Sequence, residues 1–152
     1  MRTARGQERG DTTPAEAAGR IVVVEDDPAT AALLSDLLGD EGYSVTVLPS
    51  AFGVRAAVRC LQPSAILLDL ALPYRSGVAL LAELKADPTT ASVPVIIVSA
   101  LAEVLPPQGR ALAAAVIGKP FRLEALLDAL RAATVPTPAS PQSERHPQRA
   151  LL

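Results

Sequence analysis

Short runs of aliphatic and β-branched residues punctuate the chain at regular intervals: IVVV (21–24), SVTVL (44–48), AILL (65–68), VPVIIV (93–98) and AVI (115–117). Runs of this length, bounded by turn-forming and charged residues, predict strands. Between them, apolar positions recur at helical spacing. Val54, Ala57, Val58 and Leu61 stand at i, i+3, i+4 and i+7, as do Leu123, Leu126, Leu127 and Leu130. Leu33, Leu34, Leu37 and Leu38 predict a third apolar face, and Val78, Leu81 and Leu84 a fourth. Pro28 suits the first turn of its helix, Gly39 and Gly42 suit the exit, and Ser50 suits the cap of the next helix. Strands so uniformly apolar need cover on both faces. The β-α alternation therefore predicts an α/β fold, a doubly wound parallel sheet with right-handed crossovers and helices on either side.

The alternation occupies residues 20–133 of 152 and predicts one globular domain. Residues 1–19 are polar and small without periodicity, and they are expected to form a disordered N-terminal extension. Pro136, Pro138, Pro141 and Pro147 make residues 134–152 an expected disordered, proline-rich tail. Hydrophobic residues are 49% and aromatics 3%, so the core must be aliphatic. The net charge of -2 leaves no basic surplus for nucleic acid. His146 stands alone in the tail, which removes histidine-based triads and metal clusters from the folded region, and the lone Cys60 excludes an internal disulfide. No apolar run approaches the roughly 18 residues of a membrane span, and the N-terminus lacks a secretory pattern, so a cytoplasmic protein is expected.

In doubly wound folds the working site lies beyond the carboxyl ends of the strands. Here the first strand runs into Glu25, Asp26 and Asp27, the third into Asp69, the fourth into Ser99, and the fifth into Gly118 and Lys119. Each residue alone reads as an ordinary loop starter, cap or surface group. Together they carry a cost, because two carboxylates about 4 Å apart repel by roughly 4 kcal/mol at an effective dielectric near 20. A compensating cation is required, and an all-oxygen, partly hydrated carboxylate site suits Mg²⁺, with Lys119 as a further positive charge. Carboxylate, hydroxyl, lysine and Mg²⁺ together compose a phosphoryl-transfer pocket.

The segments VVVEDDP, LLDLALPYRSG, LKADPTTASVPVIIVSA and GKPF, in that order within residues 20–133, resemble the receiver domains of bacterial two-component response regulators. The resemblance is to the single-domain, chemotaxis-regulator-like kind, with a flavodoxin-like sheet of strand order 2-1-3-4-5. It implies that Asp69 is the phosphoacceptor, and that Glu25, Asp26, Asp69 and the backbone carbonyl of Ala71 hold Mg²⁺. Ser99 would be the hydroxyl that follows the phosphoryl group and Lys119 its charge partner, while Asp27 falls outside the usual acidic pair. Pro73 and Gly77 fall where the family shapes the loop after the third strand. The implied phosphoryl donor is a phospho-histidine on a sensor histidine kinase or phosphotransfer protein. The expected output is protein–protein contact with a downstream partner, without nucleic acid or membrane. The Lys119–Pro120 bond is expected to be cis, because the chain turns sharply there while Lys119 points into the pocket.

Three departures stand out. Val116 occupies the position three residues before the lysine where the family carries an aromatic switch. Pro106 and Pro107 must break or displace the fourth helix. Alanines replace the glycine common before the fifth strand. The alternative function is therefore a pseudo-receiver, an interaction module that keeps the fold without switching. An aspartyl-phosphate hydrolase needs a second carboxylate two residues after the nucleophile, where this chain has Ala71, so catalytic turnover is not expected. A transcription factor is not expected either, since only 19 residues follow Ala133.

Overall fold

The computed structural model describes residues 18–134. The elements follow in strict alternation: β1 (Gly19–Val24), α1 (Pro28–Asp40), β2 (Tyr43–Leu48), α2 (Val54–Leu61), β3 (Ala65–Leu68), α3 (Gly77–Ala86), β4 (Val95–Ser99), α4 (Pro107–Leu112), β5 (Ala115–Gly118) and α5 (Leu123–Thr134). A 3-10 turn at Ala102–Val104 precedes α4. All strand pairs are parallel and the sheet order is β2-β1-β3-β4-β5, the doubly wound arrangement expected. β1 begins at Gly19 and α5 ends at Thr134, each one residue beyond the anticipated domain limits. The expectations for residues 1–17 and 135–152 lie outside the described residues.

The two-residue period of the strands sorts the core into two layers. Val22, Val24, Ile66, Leu68, Val95 and Ile97 face Val54 and Val58 of α2, Leu80, Leu81 and Leu84 of α3, and Leu105. Ile21, Val23, Leu67, Ile96 and Val98 face Leu34 and Leu38 of α1 and Leu126, Leu127 and Leu130 of α5. Fully burying each such side chain stabilises the fold by about 1.5–3 kcal/mol, so the three central strands anchor the structure.

Local detail departs from the sequence reading at several points. Leu33 is 51% exposed, because α1 turns only Leu34 and Leu38 inward at full burial. Ser50 does not cap α2. Its Oγ accepts from the Phe52 N–H at 3.3 Å, and the helix begins after Gly53, whose φ of 76° places it in the left-handed region. Gly39 lies inside the last turn of α1 rather than beyond it. Pro28 does open α1, preceded by Asp27 as its N-cap. The prolines leave a six-residue α4 that starts at Pro107, with Gly109 closely packed on the Leu105 side chain.

Candidate functional site

The winding direction reverses between β1 and β3, so the loops leaving these strands diverge and open a crevice at the carboxyl edge. The backbone ladder continues one residue past each strand. The Glu25 N–H donates to the Leu48 carbonyl (3.1 Å), the Asp69 N–H to the Val24 carbonyl (3.0 Å) and the Lys119 N–H to the Ser99 carbonyl (3.1 Å). Three charged residues from three strands are thus held by sheet geometry, a firmer support than free loops.

Ligand oxygens of Glu25, Asp26 and Asp69 lie within 4.8 Å of one another. Glu25 and Asp69 are only 3% and 6% exposed, whereas Asp26 faces solvent. The Lys119 Nζ donates to Glu25 Oε2 at 2.6 Å and to Asp69 Oδ2 at 3.3 Å. Backbone donors occupy the other oxygens: the Ala71 N–H reaches Asp69 Oδ1 at 3.1 Å, and the Asp27 N–H reaches Glu25 Oε1 at 3.2 Å. Burial pushes the Glu25 carboxyl above its ordinary range, and the Asp69 charge adds to this, against the opposing pull of Lys119. Burial alone would lower Lys119, but the hydrogen bond to Glu25 and the charges of Asp69 and Glu25 together raise it. The ammonium therefore stays protonated at neutral pH. Asp27 turns outward, where hydrogen bonds from the Thr30 hydroxyl and N–H hold its carboxyl below the usual range.

The loop from β3 to α3 folds back on the site. Gly77 lies against the backbone of Asp69 and Leu70, where an added Cβ would collide with the Asp69 carbonyl oxygen, and its N–H donates to the Leu70 carbonyl at 3.1 Å. Ser76 caps α3 through a 3.1 Å bond from the Val78 N–H. On the far side, the Lys119–Pro120 bond is cis.

The family model for the response regulator receiver domain matches residues 21–131. The chain belongs to this family. Among curated relatives, the DNA-binding dual master transcriptional regulator RpaA of Synechocystis sp. is 35% identical over 129 residues, 84% of this chain and 54% of that protein. The chain thus spans about half the length of this relative. Two solved structures set the receiver fold beside known ones. A sensor protein from Polaromonas sp. JS666 superposes with a TM-score of 0.73 at 30% identity, over 77% of this chain and 96% of that one. The receiver domain of the sensor histidine kinase PA1611 from Pseudomonas aeruginosa PAO1, with a magnesium ion coordinated in its active-site cleft, gives 0.67 at 25% identity, over 76% and 97%.

In this receiver domain, Glu25, Asp26, Asp69 and Lys119 meet at one point. An all-oxygen donor set, two carboxylates buried and a third open to water, fits a partly hydrated Mg²⁺, so these residues could hold the ion. Ser99 and Ala71 stand at the same edge with different engagements. The Ser99 hydroxyl is buried and accepts from the Leu101 N–H at 3.1 Å, without a hydrogen bond to any carboxylate of the cluster. Ala71 is joined to Asp69 through its N–H, which leaves its carbonyl outside the hydrogen bonds of the cluster. Sequence reasoning assigned Lys119 to the phosphoryl group and missed that its shorter contact is to Glu25. It also passed over the ionic staple between α2 and α3. Arg55 and Arg59 stand four apart on one helix and Glu83 and Asp87 four apart along the other, a matched spacing that was there to be read.

Proposed function

We propose that this receiver domain accepts a phosphoryl group on Asp69 from a phospho-histidine of a partner histidine kinase or phosphotransfer protein, in a Mg²⁺-dependent phosphorelay. The observation that carries this reading is the convergence of three carboxylates and one ammonium from β1, β3 and β5. In the transfer, the phosphorus–nitrogen bond to the donor imidazole breaks, a bond from phosphorus to an Asp69 carboxylate oxygen forms, and the imidazole keeps the electron pair of the broken bond. Lys119 and the Ala71 N–H each hold one oxygen of Asp69, which orients the nucleophile before the donor arrives. Glu25, Asp26 and Asp69, with the Ala71 carbonyl, are the proposed metal ligands. When bound, Mg²⁺ neutralises the negative charge of the phosphoryl oxygens. Ser99 is the proposed hydroxyl partner of the new group: its Oγ accepts from the Leu101 N–H, which leaves its own O–H to donate to a phosphoryl oxygen. The output is a protein contact, in keeping with a net charge of -2.

Incubation with acetyl phosphate and Mg²⁺ followed by intact mass tests the assignment. A gain of one phosphoryl group is expected for the wild-type chain, and none for Asp69→Asn, which is close to isosteric and no longer nucleophilic. Labelling that persists in the variant sinks it.

A second reading, a non-switching interaction module, is favoured by Val116 and by the short α4. Amide exchange with Mg²⁺ and beryllofluoride separates the two. A working switch changes protection most across residues 99–110, whereas a scaffold leaves that segment as it was.

A further inference from the structure

The receiver domain carries a second cluster of chemistry, away from the carboxylate site, where α2 meets α3 and the β3–α3 loop. The whole chain has two Phe, two Tyr and no Trp. Tyr43 and Phe121 pack against the core. Phe52 and Tyr74 do the opposite: they are 68% and 93% exposed and lie together with ring centroids 6.5 Å apart. Tyr74 also adopts a φ of 63°, a conformation costly for a bulky residue, inside a turn closed by the Arg75 N–H on the Pro73 carbonyl. That turn projects the ring into solvent. Neither ring is needed to fill the core.

Beside the rings lies a cleft of about 290 Å³ lined by Phe52, Arg55, Arg59, Arg75, Leu80 and Glu83. Its charges are layered. The Glu83 and Asp87 side chains are 29% and 13% exposed, and Arg55, Arg59 and Arg75 pair with them from outside, each at least 40% exposed. Three guanidiniums over two carboxylates leave a surplus positive charge on a chain that is negative overall. Each guanidinium has five N–H donors, and only a few are used within the protein. Arg55 Nε, though buried, lies 3.3 Å from Asp87 Oδ2 in an ion pair that lacks hydrogen-bond geometry. Exposed aromatic residues beside arginines with free donors are the composition of binding hot spots.

We propose that this surface docks an acidic segment of a partner protein, with an aliphatic or aromatic side chain of the segment on Phe52 and Tyr74 and its carboxylates on Arg55, Arg59 and Arg75. The two carboxylates within the patch disfavour a polyanion such as single-stranded nucleic acid, whose closely spaced phosphates would meet Glu83. A few carboxylates on a peptide can each choose an arginine and avoid it. The cleft is also small and open for a cofactor, at the low edge of ordinary ligand pockets.

The test is a titration of the isotope-labelled full chain with a panel of short peptides in which glutamates flank one leucine or phenylalanine at varied spacing. Saturable amide shifts at residues 52–59 and 74–76 are expected, weakening with added salt. Phe52→Ser combined with Tyr74→Gly should weaken binding about tenfold, the effect of losing one moderate hot spot. Both positions are exposed, so the fold survives, and the spectrum elsewhere verifies this. Arg59→Gln, which keeps a donor for Asp87 and loses the charge, should weaken binding as well. Absence of saturable shifts with every peptide overturns the proposal. So does equal binding by peptides with lysine in place of glutamate, unchanged affinity in the variants, or tighter binding of an oligothymidine than of any peptide.

Discussion

Two groups of charges in this receiver domain each set Glu and Asp carboxylates against cations and behave in opposite ways. At the carboxyl edge of the sheet, Glu25 and Asp69 are buried around Lys119, and burial raises Glu25 above its ordinary pKa. Between α2 and α3, hydrogen bonds from Arg59 and Thr89 hold Asp87 far below its ordinary value, and hydrogen bonds from Arg75 and Arg55 lower Glu83. The difference is the number of donors set against the loss of water. The half-buried Asp87 and Glu83 carboxylates each receive hydrogen bonds from exposed arginines, while those inside the sheet edge lose hydration that a single lysine does not fully replace. The arginine-paired group ties two helices together. The buried group holds unrelieved negative charge, a state suited to binding a cation and a poor device for stability.

The largest expected effect tests the rigidity of the buried group. Gly77→Ala places a methyl against the Asp69 backbone and should destabilise the protein by about 3 kcal/mol, the upper end for overpacking, as read by urea unfolding. A loss below about 0.5 kcal/mol would mean that the loop yields and the carboxylate is not rigidly placed. Next is the cation. Lys119→Met leaves Glu25 and Asp69 facing each other and should cost about 2 kcal/mol at neutral pH, less than for a fully buried pair because the ammonium reaches solvent. The corresponding Arg59→Met change should produce a clearly smaller loss. Equal losses would erase the distinction between the two groups.

The pH dependence should differ in sign. Glu25 has its pKa raised above 4.5, so the folded state holds the proton more tightly and stability increases as pH falls between the raised value and 4.5. The wild type should therefore gain on Glu25→Gln as the solution is acidified through that window. Asp87 is depressed below 3.8, so its contribution is complete above 3.8 and is lost as pH falls toward the folded value. Asp87→Asn should be less stable than wild type near neutrality, with the gap closing below 3.8. Parallel pH profiles for the two variants would contradict the assignment. The smallest effect on the metal-free protein belongs to the exposed member of the cluster. Asp26→Ala should shift its stability by less than about 0.5 kcal/mol, yet remove most of the rise in melting temperature expected of the wild type on adding Mg²⁺. A variant that keeps the full Mg²⁺ response would show that Glu25 and Asp69 suffice.

The fold was legible because its central strands, β1, β3 and β4, carry short apolar runs buried on both faces. Such strands admit few arrangements besides a parallel sheet under helices, and each charged residue after a strand is carried to one edge by the pairing itself. Glu25, Asp26, Asp69 and Lys119 were therefore readable as one group from their positions after apolar runs. Ser50 and Leu33 were misread because capping and helix-face rules describe local preference. The left-handed Gly53 moved the start of α2, and the packing of α1 on the sheet chose Leu34 and Leu38 over Leu33.

The sequence by itself determined the alternation of elements, the aliphatic core and the set of charges delivered to the carboxyl edge, since these depend on residue type and short spacing. Tertiary structure decided the partners. Lys119 lies 94 residues from Glu25 and 50 from Asp69, and only the folded backbone sets which carboxylate it meets more closely. Only packing buried Glu25 while it left Asp26, one position on, in water. The exposed pairing of Phe52 with Tyr74 likewise joins two loops whose sequences hold no sign of each other, because distance along the chain carries no information about proximity until the sheet has formed.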